Sequence, residues 1–198
     1  MAEITAGKIK ELRAATQAGM LDCKKALVEC DGDIDKSIEY LRKKGLASAG
    51  KKMDRIAKDG IIASYIHNNS RLGVLLELNC ETDFVAKNED FEELARELCM
   101  QVAAANPLYV SIDEVPEEDK EREREILREQ LKESGKPPEI VEKIVEGKMK
   151  KFYSEVCLLN QEYIRDSNQI IEDVIKNKIA TYGENISVGR FVRYSIGN

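Results

Sequence analysis

Between Arg71 and Asn106 the hydrophobic pattern changes period once, and the change predicts two consecutive elements. Val74, Leu76, Leu78 and Cys80 alternate with Leu75, Glu77 and Asn79, the pattern of a strand with one buried face. From Asn88 onward Phe91, Leu94, Ala95, Leu98, Val102 and Ala103 recur at three- and four-residue spacing, which lines one face of a helix, with Asp90 and Glu93 as a capping box near its start. The connection between them, Glu81 to Lys87, lacks Gly and Pro and holds Phe84 beside Asp83. Two readings of that aromatic stay open. Phe84 and Val85 staple back onto Phe91 while Thr82 and Asp83 satisfy free amides at the helix entrance, or Phe84 stands clear as a probe for another molecule.

The same patterning organises the rest of the chain. Residues 1–45 predict three short helices around one small core: Thr5 caps the first, with Ile9 and Leu12; Ala18-Gly19-Met20 breaks it; Cys23, Ala26, Leu27 and Cys30 line the second; Asp33 caps the third, with Ile34, Ile38 and Leu41. Residues 46–58, small and basic, read as a solvated tether. A core domain over 59–198 opens with a strand from Gly60 to His67, a turn at Asn68-Asn69-Ser70 and the strand described above. Pro116 to Cys157 reads as a helical hairpin, charged in its first arm and lined in its second by Ile140, Ile144, Val145, Met149, Phe152 and Val156. Gly147 in that second arm marks either close packing or a kink. The chain closes with a helix bearing Ile170, Ile171, Val174, Ile175 and Ile179, a turn at Gly183-Glu184-Asn185, and a strand placing Ile186, Val188, Val192, Tyr194 and Ile196 on one face. About three strands in an antiparallel sheet covered by helices make an α+β domain.

Composition narrows the function classes. The chain has 198 residues, 42% of them hydrophobic and 34% charged, enough for a core and a well-solvated surface. A formal net charge of -6 argues against a protein devoted to the phosphate backbone of nucleic acid. No apolar run approaches ~18 residues and the N-terminus lacks a secretory pattern, so neither membrane nor export is expected and the cytoplasm follows. Cys23, Cys30, Cys80, Cys99 and Cys157 form no Cys-x-x-Cys pair and read as small buried hydrophobes.

Candidate chemistry is sparse. Asp31-Gly32-Asp33-Ile34-Asp35 resembles a calcium loop, but Lys36 and Arg42 occupy the places of its Gly and bidentate Glu, so a helix cap explains it better. Gly45 to Lys52 is one residue from a phosphate-binding loop, yet Lys52 replaces the magnesium-binding hydroxyl and a helix precedes it. His67, the only histidine, reads as a surface residue beside a turn. No catalytic residue, metal or cofactor is expected.

Resemblance adds what spacing alone does not. The run Asn79 to Ala86, with its core Thr82-Asp83-Phe84-Val85-Ala86, resembles the signature of the elongation factor Ts family, the guanine-nucleotide exchange factors of elongation factor Tu. Thr16 to Leu27 is similar to that family's N-terminal motif, with Gln17 where Gly is usual and Leu21 where Met is usual, and Ser134 to Pro138 with Val145 to Phe152 is similar to the later part of its core. The first 45 residues also resemble a ubiquitin-associated three-helix domain, whose first interhelical loop meets a partner. The likeness implies that the Asp83-Phe84 tip is pushed into the GTPase, with Thr82, Val85 and Ala86 holding it. It also implies that Arg13, Met20 and Leu21 grip a helix of the GTPase, although core packing is the plainer alternative for Met20 and Leu21. The chain has room for a single core lobe, like the family's short members, which act as homodimers. The rival class is a non-catalytic adaptor that binds a protein through the three-helix domain without altering nucleotide affinity.

Overall fold

Thr5 starts the first helix, its hydroxyl accepting the Lys8 N–H at 3.3 Å, and α1 runs over Ala6–Thr16. The structure, a computed structural model, describes residues 4–16, 18–68, 70–132 and 135–197, all with their side chains except 46–48. Gln17, Asn69 and Ser134, and the side chains of Leu46, Ala47 and Ser48 in the expected tether, therefore lie outside the described residues. Backbone proximity divides the α+β chain into two units: Met1–Gly60 with Asn79–Lys87 and Asp173–Ser187, and Ile61–Leu78 with Asn88–Glu172 and Val188–Asn198.

In the first unit α2 (Met20–Glu29) and α3 (Ile34–Gly50) join α1 around Leu12, Cys23, Ala26, Leu27 and Leu41, the residues whose periodicity predicted it. Asp33 caps α3 as expected, its carboxylate accepting the Lys36 N–H at 3.0 Å. The helix differs in length from its prediction. It continues to Gly50, so the segment expected as a tether from residue 46 is helical in its first part and turns only from Lys51. Two small residues near its start are tightly packed. Ala49 is buried, and a Cβ on Gly45 would stand 3.1 Å from the Cβ of Ala180 in α8 (Ile171–Tyr182), so glycine permits the two helices to approach. The phosphate-loop lookalike is thus mostly helix interior.

The second unit holds most of a three-stranded antiparallel sheet of order β1-β2-β5, formed by β1 (Asp59–Ile66), β2 (Leu72–Cys80) and β5 (Ile186–Ser195). Val74, Leu76, Leu78 and Cys80 are buried while Leu75 is exposed, as the two-residue period requires. Helix α5 (Glu89–Ala105) buries Phe91, Leu94, Ala95, Leu98, Cys99, Val102 and Ala103. Its cap is not the expected Asp90–Glu93 box. Asn88 caps it instead, with Oδ1 accepting the Asp90 N–H at 2.9 Å, because the helix begins one position earlier than Asp90. Burial pushes the Cys99 thiol up to about 11, which keeps it protonated near neutrality.

Strand β5 is covered differently along its length. Ile186 and Val188 are buried, but Val192, Tyr194 and Ile196 are exposed and Phe191, Arg193 and Ser195 turn partly inward. The Arg193 guanidinium donates to the Ala103 carbonyl at the end of α5, which explains how a charged residue occupies the covered face.

Helices α6 (Glu117–Leu131) and α7 (Pro138–Val156) form the expected hairpin around Leu127, Val145 and Met149, with Arg128 of the first bonded to Glu142 of the second at 3.0 Å. Gly147 marks neither kink nor close contact: α7 is continuous through it, and a Cβ there would meet nothing within 4 Å. Gly147→Ala should therefore stabilise the chain by about 0.5–1 kcal/mol, through lost backbone freedom of the unfolded state. A thermal unfolding scan that shows no rise in Tm would contradict it.

A second, two-stranded sheet, β3 (Glu162–Tyr163) with β4 (Asp166–Ile170), has no counterpart in the sequence reading, since its strands are short and carry no alternation. Side-chain amides hold it to α5. Buried Gln101 donates to the Gln161 side chain at 3.2 Å and to the Glu162 carbonyl at 3.1 Å, and accepts the Ile164 N–H at 2.9 Å.

Candidate functional site: an exposed aromatic on a braced turn

The connection from Glu81 to Asn88 contains one helical turn, which its composition did not announce. Thr82 leaves strand β2 with extended angles and heads a single turn, α4 (Asp83–Ala86), closed by Ala86 N–H to Thr82 O at 3.2 Å and Lys87 N–H to Asp83 O at 3.1 Å. One turn of helix points successive side chains in different directions, and here they separate cleanly. Val85 and Ala86 are buried; Phe84, between Asp83 and Val85, is 84% exposed. The staple reading is thereby excluded for Phe84, whose ring faces water. An isolated benzyl group facing water loses the roughly 2–3 kcal/mol that burial would return.

The turn is braced on both sides of Phe84. Lys87 Nζ sits 2.6 Å from Asp83 Oδ2, and the hydrogen bond with its positive charge holds the Asp83 carboxyl below the usual carboxylate range. Thr82 makes no side-chain cap on α4 and is held from elsewhere: its hydroxyl donates to Glu184 Oε1 at 2.7 Å and its N–H to Glu184 Oε2 at 3.0 Å. Cys80 Sγ donates to the Thr82 carbonyl at 3.1 Å, and burial, with the charges of Asp59 and Glu184, raises that thiol to about 11. It is a structural thiol, not a nucleophile.

The second set of candidates lies on the three-helix module. Arg13 is exposed on α1, and Met20 and Leu21, at the start of α2, are 51% and 74% exposed, so neither packs in the core. The core around Cys23, Ala26 and Leu27 includes neither of them. The described residues place Arg13, Met20, Leu21, Thr82, Asp83, Phe84, Val85 and Ala86 in the same unit. His67 is exposed beside its turn, its Nδ1 2.8 Å from the Tyr65 hydroxyl.

Sequence reasoning missed Glu184 and Asn185. They were legible only as a turn, and no local pattern could connect Glu184 with Thr82 across 102 positions.

Met20, Leu21 and Phe84 are thus large apolar side chains that face solvent on packed elements. The chain belongs to the elongation factor Ts family, whose family model, described as "Elongation factor TS", matches residues 11–198. Elongation factor Ts of Desulforamulus reducens is 57% identical over 197 residues, covering 100% of this chain and 91% of the relative. That of Oleidesulfovibrio alaskensis is also 57% identical, covering 100% of both, and that of Fervidobacterium nodosum is 56% identical over 98% of this chain and 99% of the relative. Membership makes the chain a translation elongation factor. Among the described residues no helix is long and apolar enough to cross a membrane.

Proposed function

We propose that the chain is a guanine-nucleotide exchange factor that binds elongation factor Tu in its GDP-bound form, opens the magnesium and phosphate site with the Asp83-Phe84 tip, and stabilises the nucleotide-free partner until GTP enters. The observation that carries this reading is the 84% exposure of Phe84 between a salt-bridged acid and two buried residues. The factor itself performs no bond-making step and needs neither metal nor cofactor. A GTPase holds GDP through a phosphate-cradling loop and a bridging magnesium ion. An exchange factor has only to bind better when those contacts are broken, and by linkage the nucleotide then weakens the factor equally. Each tenfold loss of nucleotide affinity takes about 1.4 kcal/mol of that coupling. Arg13, Met20 and Leu21 form the docking patch of a ubiquitin-associated-like module, and the cytoplasm is where such a factor meets its GTPase.

Release of fluorescent GDP from purified elongation factor Tu tests the reading. The chain should accelerate release at catalytic concentration; binding without acceleration would leave an adaptor instead.

The same reading includes a homodimer. A single core lobe motivates it, and the exposed sheet residues Ile62, Ile66, Leu75, Val192, Tyr194 and Ile196 supply an apolar surface for a second copy. Sedimentation at micromolar concentration should give a dimer and Tyr194→Glu a monomer. A monomeric unmodified chain would overturn it.

A further inference from the structure

The base of the tip is hydrogen-bonded to two consecutive residues far away in the chain. Helix α8 ends at Tyr182, and Gly183, with φ of 76°, turns the chain so that Glu184 and Asn185 precede β5. The left-handed angle explains a glycine there. Glu184 spends both carboxylate oxygens on Thr82, one on its N–H and one on its hydroxyl. Asn185 takes the next residue back: its N–H donates to Glu81 Oε1 at 2.6 Å, and Arg55 lies 3.6 Å from the same oxygen. The Asn185 side chain is buried and donates to the carbonyls of Met53 and Arg55, at 3.0 and 2.6 Å, in the segment that follows α3. Its Oδ1 has no partner among the described residues, so the amide is placed there for what it donates. Charge-assisted bonds of this kind are the stronger class, and Thr82 is the residue from which α4 springs.

We infer that Glu184 and Asn185 are positioning residues for nucleotide exchange: they clasp Glu81 and Thr82 so that Phe84 is presented in one orientation before the partner arrives. The inference rests on the exchange reading above. A wedge on a free loop must be ordered as it is inserted, and the cost of ordering is subtracted from the coupling that expels GDP. A wedge already held in place avoids that cost. The docking patch on α1 and α2 is untouched by the clasp, so its loss should slow release within the complex rather than weaken encounter.

Two measurements on the full chain test it, one of them independent of the partner. Amide hydrogen exchange of the free factor should accelerate at least about tenfold over 82–87 in Glu184→Ala, with the buried turns of α5 unchanged. GDP release, titrated with each variant, should show a maximal rate about tenfold lower in Glu184→Ala, equivalent to about 1.4 kcal/mol, at a half-saturating concentration within about twofold of the parent. Glu184→Gln, which keeps an acceptor for the Thr82 N–H, should recover part of that rate. Thr82→Val, which keeps the N–H and the shape, should lose less than Glu184→Ala, and combining the two should add little to the larger single loss. Unchanged hydrogen exchange over 82–87 overturns the clasp. Accelerated exchange with an unchanged maximal rate, or a loss confined to half-saturation, overturns its role in release. A parent chain that does not accelerate GDP release overturns the exchange reading itself, a result separate from the hydrogen-exchange outcome.

Discussion

Phe84→Ala should leave the chain folded and still able to dock, yet lower the maximal rate of GDP release from elongation factor Tu by roughly 30- to 150-fold, the equivalent of about 2–3 kcal/mol of lost burial. The fold should survive because the ring covers nothing: it is 84% exposed, whereas its neighbours Val85 and Ala86 carry the packing of the turn. Most core substitutions confound loss of function with loss of structure; this one separates them. The ring contributes only where it becomes buried, and under the proposed mechanism that happens when it enters the partner. Removing it should therefore act on the step after encounter, with the half-saturating concentration of factor little altered. Stopped-flow release under saturating factor measures that step directly. A rate equal to the parent's would show that the ring is not the lever and would move attention to Asp83 and Lys87.

How much of this was legible without coordinates follows from the range over which each cause acts. β2 and α5 were readable because a strand or a helix writes its period into a run of consecutive residues, as Val74 to Cys80 and Phe91 to Ala103 do. The three-helix core was readable for the same reason. The exposure of Phe84 was not, since a lone aromatic in a short connection has no period and packs inward as readily as outward; resemblance, rather than pattern, pointed to a probe. The exposure of Val192, Tyr194 and Ile196 was not legible, because alternation identifies two faces of a strand but not which one is covered. The clasp of Glu184 on Thr82 was invisible, being a contact between distant segments whose residues are individually ordinary turn formers. The small sheet of β3 and β4 was missed because side-chain amides of Gln101 and Gln161, not strand patterning, hold it in place.

The complementary expectation concerns encounter. Met20→Lys should raise the concentration of factor needed for half-maximal GDP release by about ten- to thirtyfold while leaving the maximal rate within about twofold. Met20 and Leu21 stand exposed at the first turn of α2, behind Gly19, where the buried stripe that begins at Cys23 has not yet started. A lysine at position 20 is compatible with that exposed helical site, so the three-helix core around Leu12 and Leu27 should remain intact. What changes is the partner's side: an apolar contact that gains from burial would become a charge that must be stripped of water or left unpaired, each costing about 1–3 kcal/mol. Such a loss applies equally before and after GDP leaves, so it weakens binding without touching the coupling between the two ligands. Titrating the variant to saturation separates the quantities. A maximal rate reduced as far as that of Phe84→Ala, with half-saturation unmoved, would mean that Met20 takes part in opening the nucleotide site and that docking is carried by another surface.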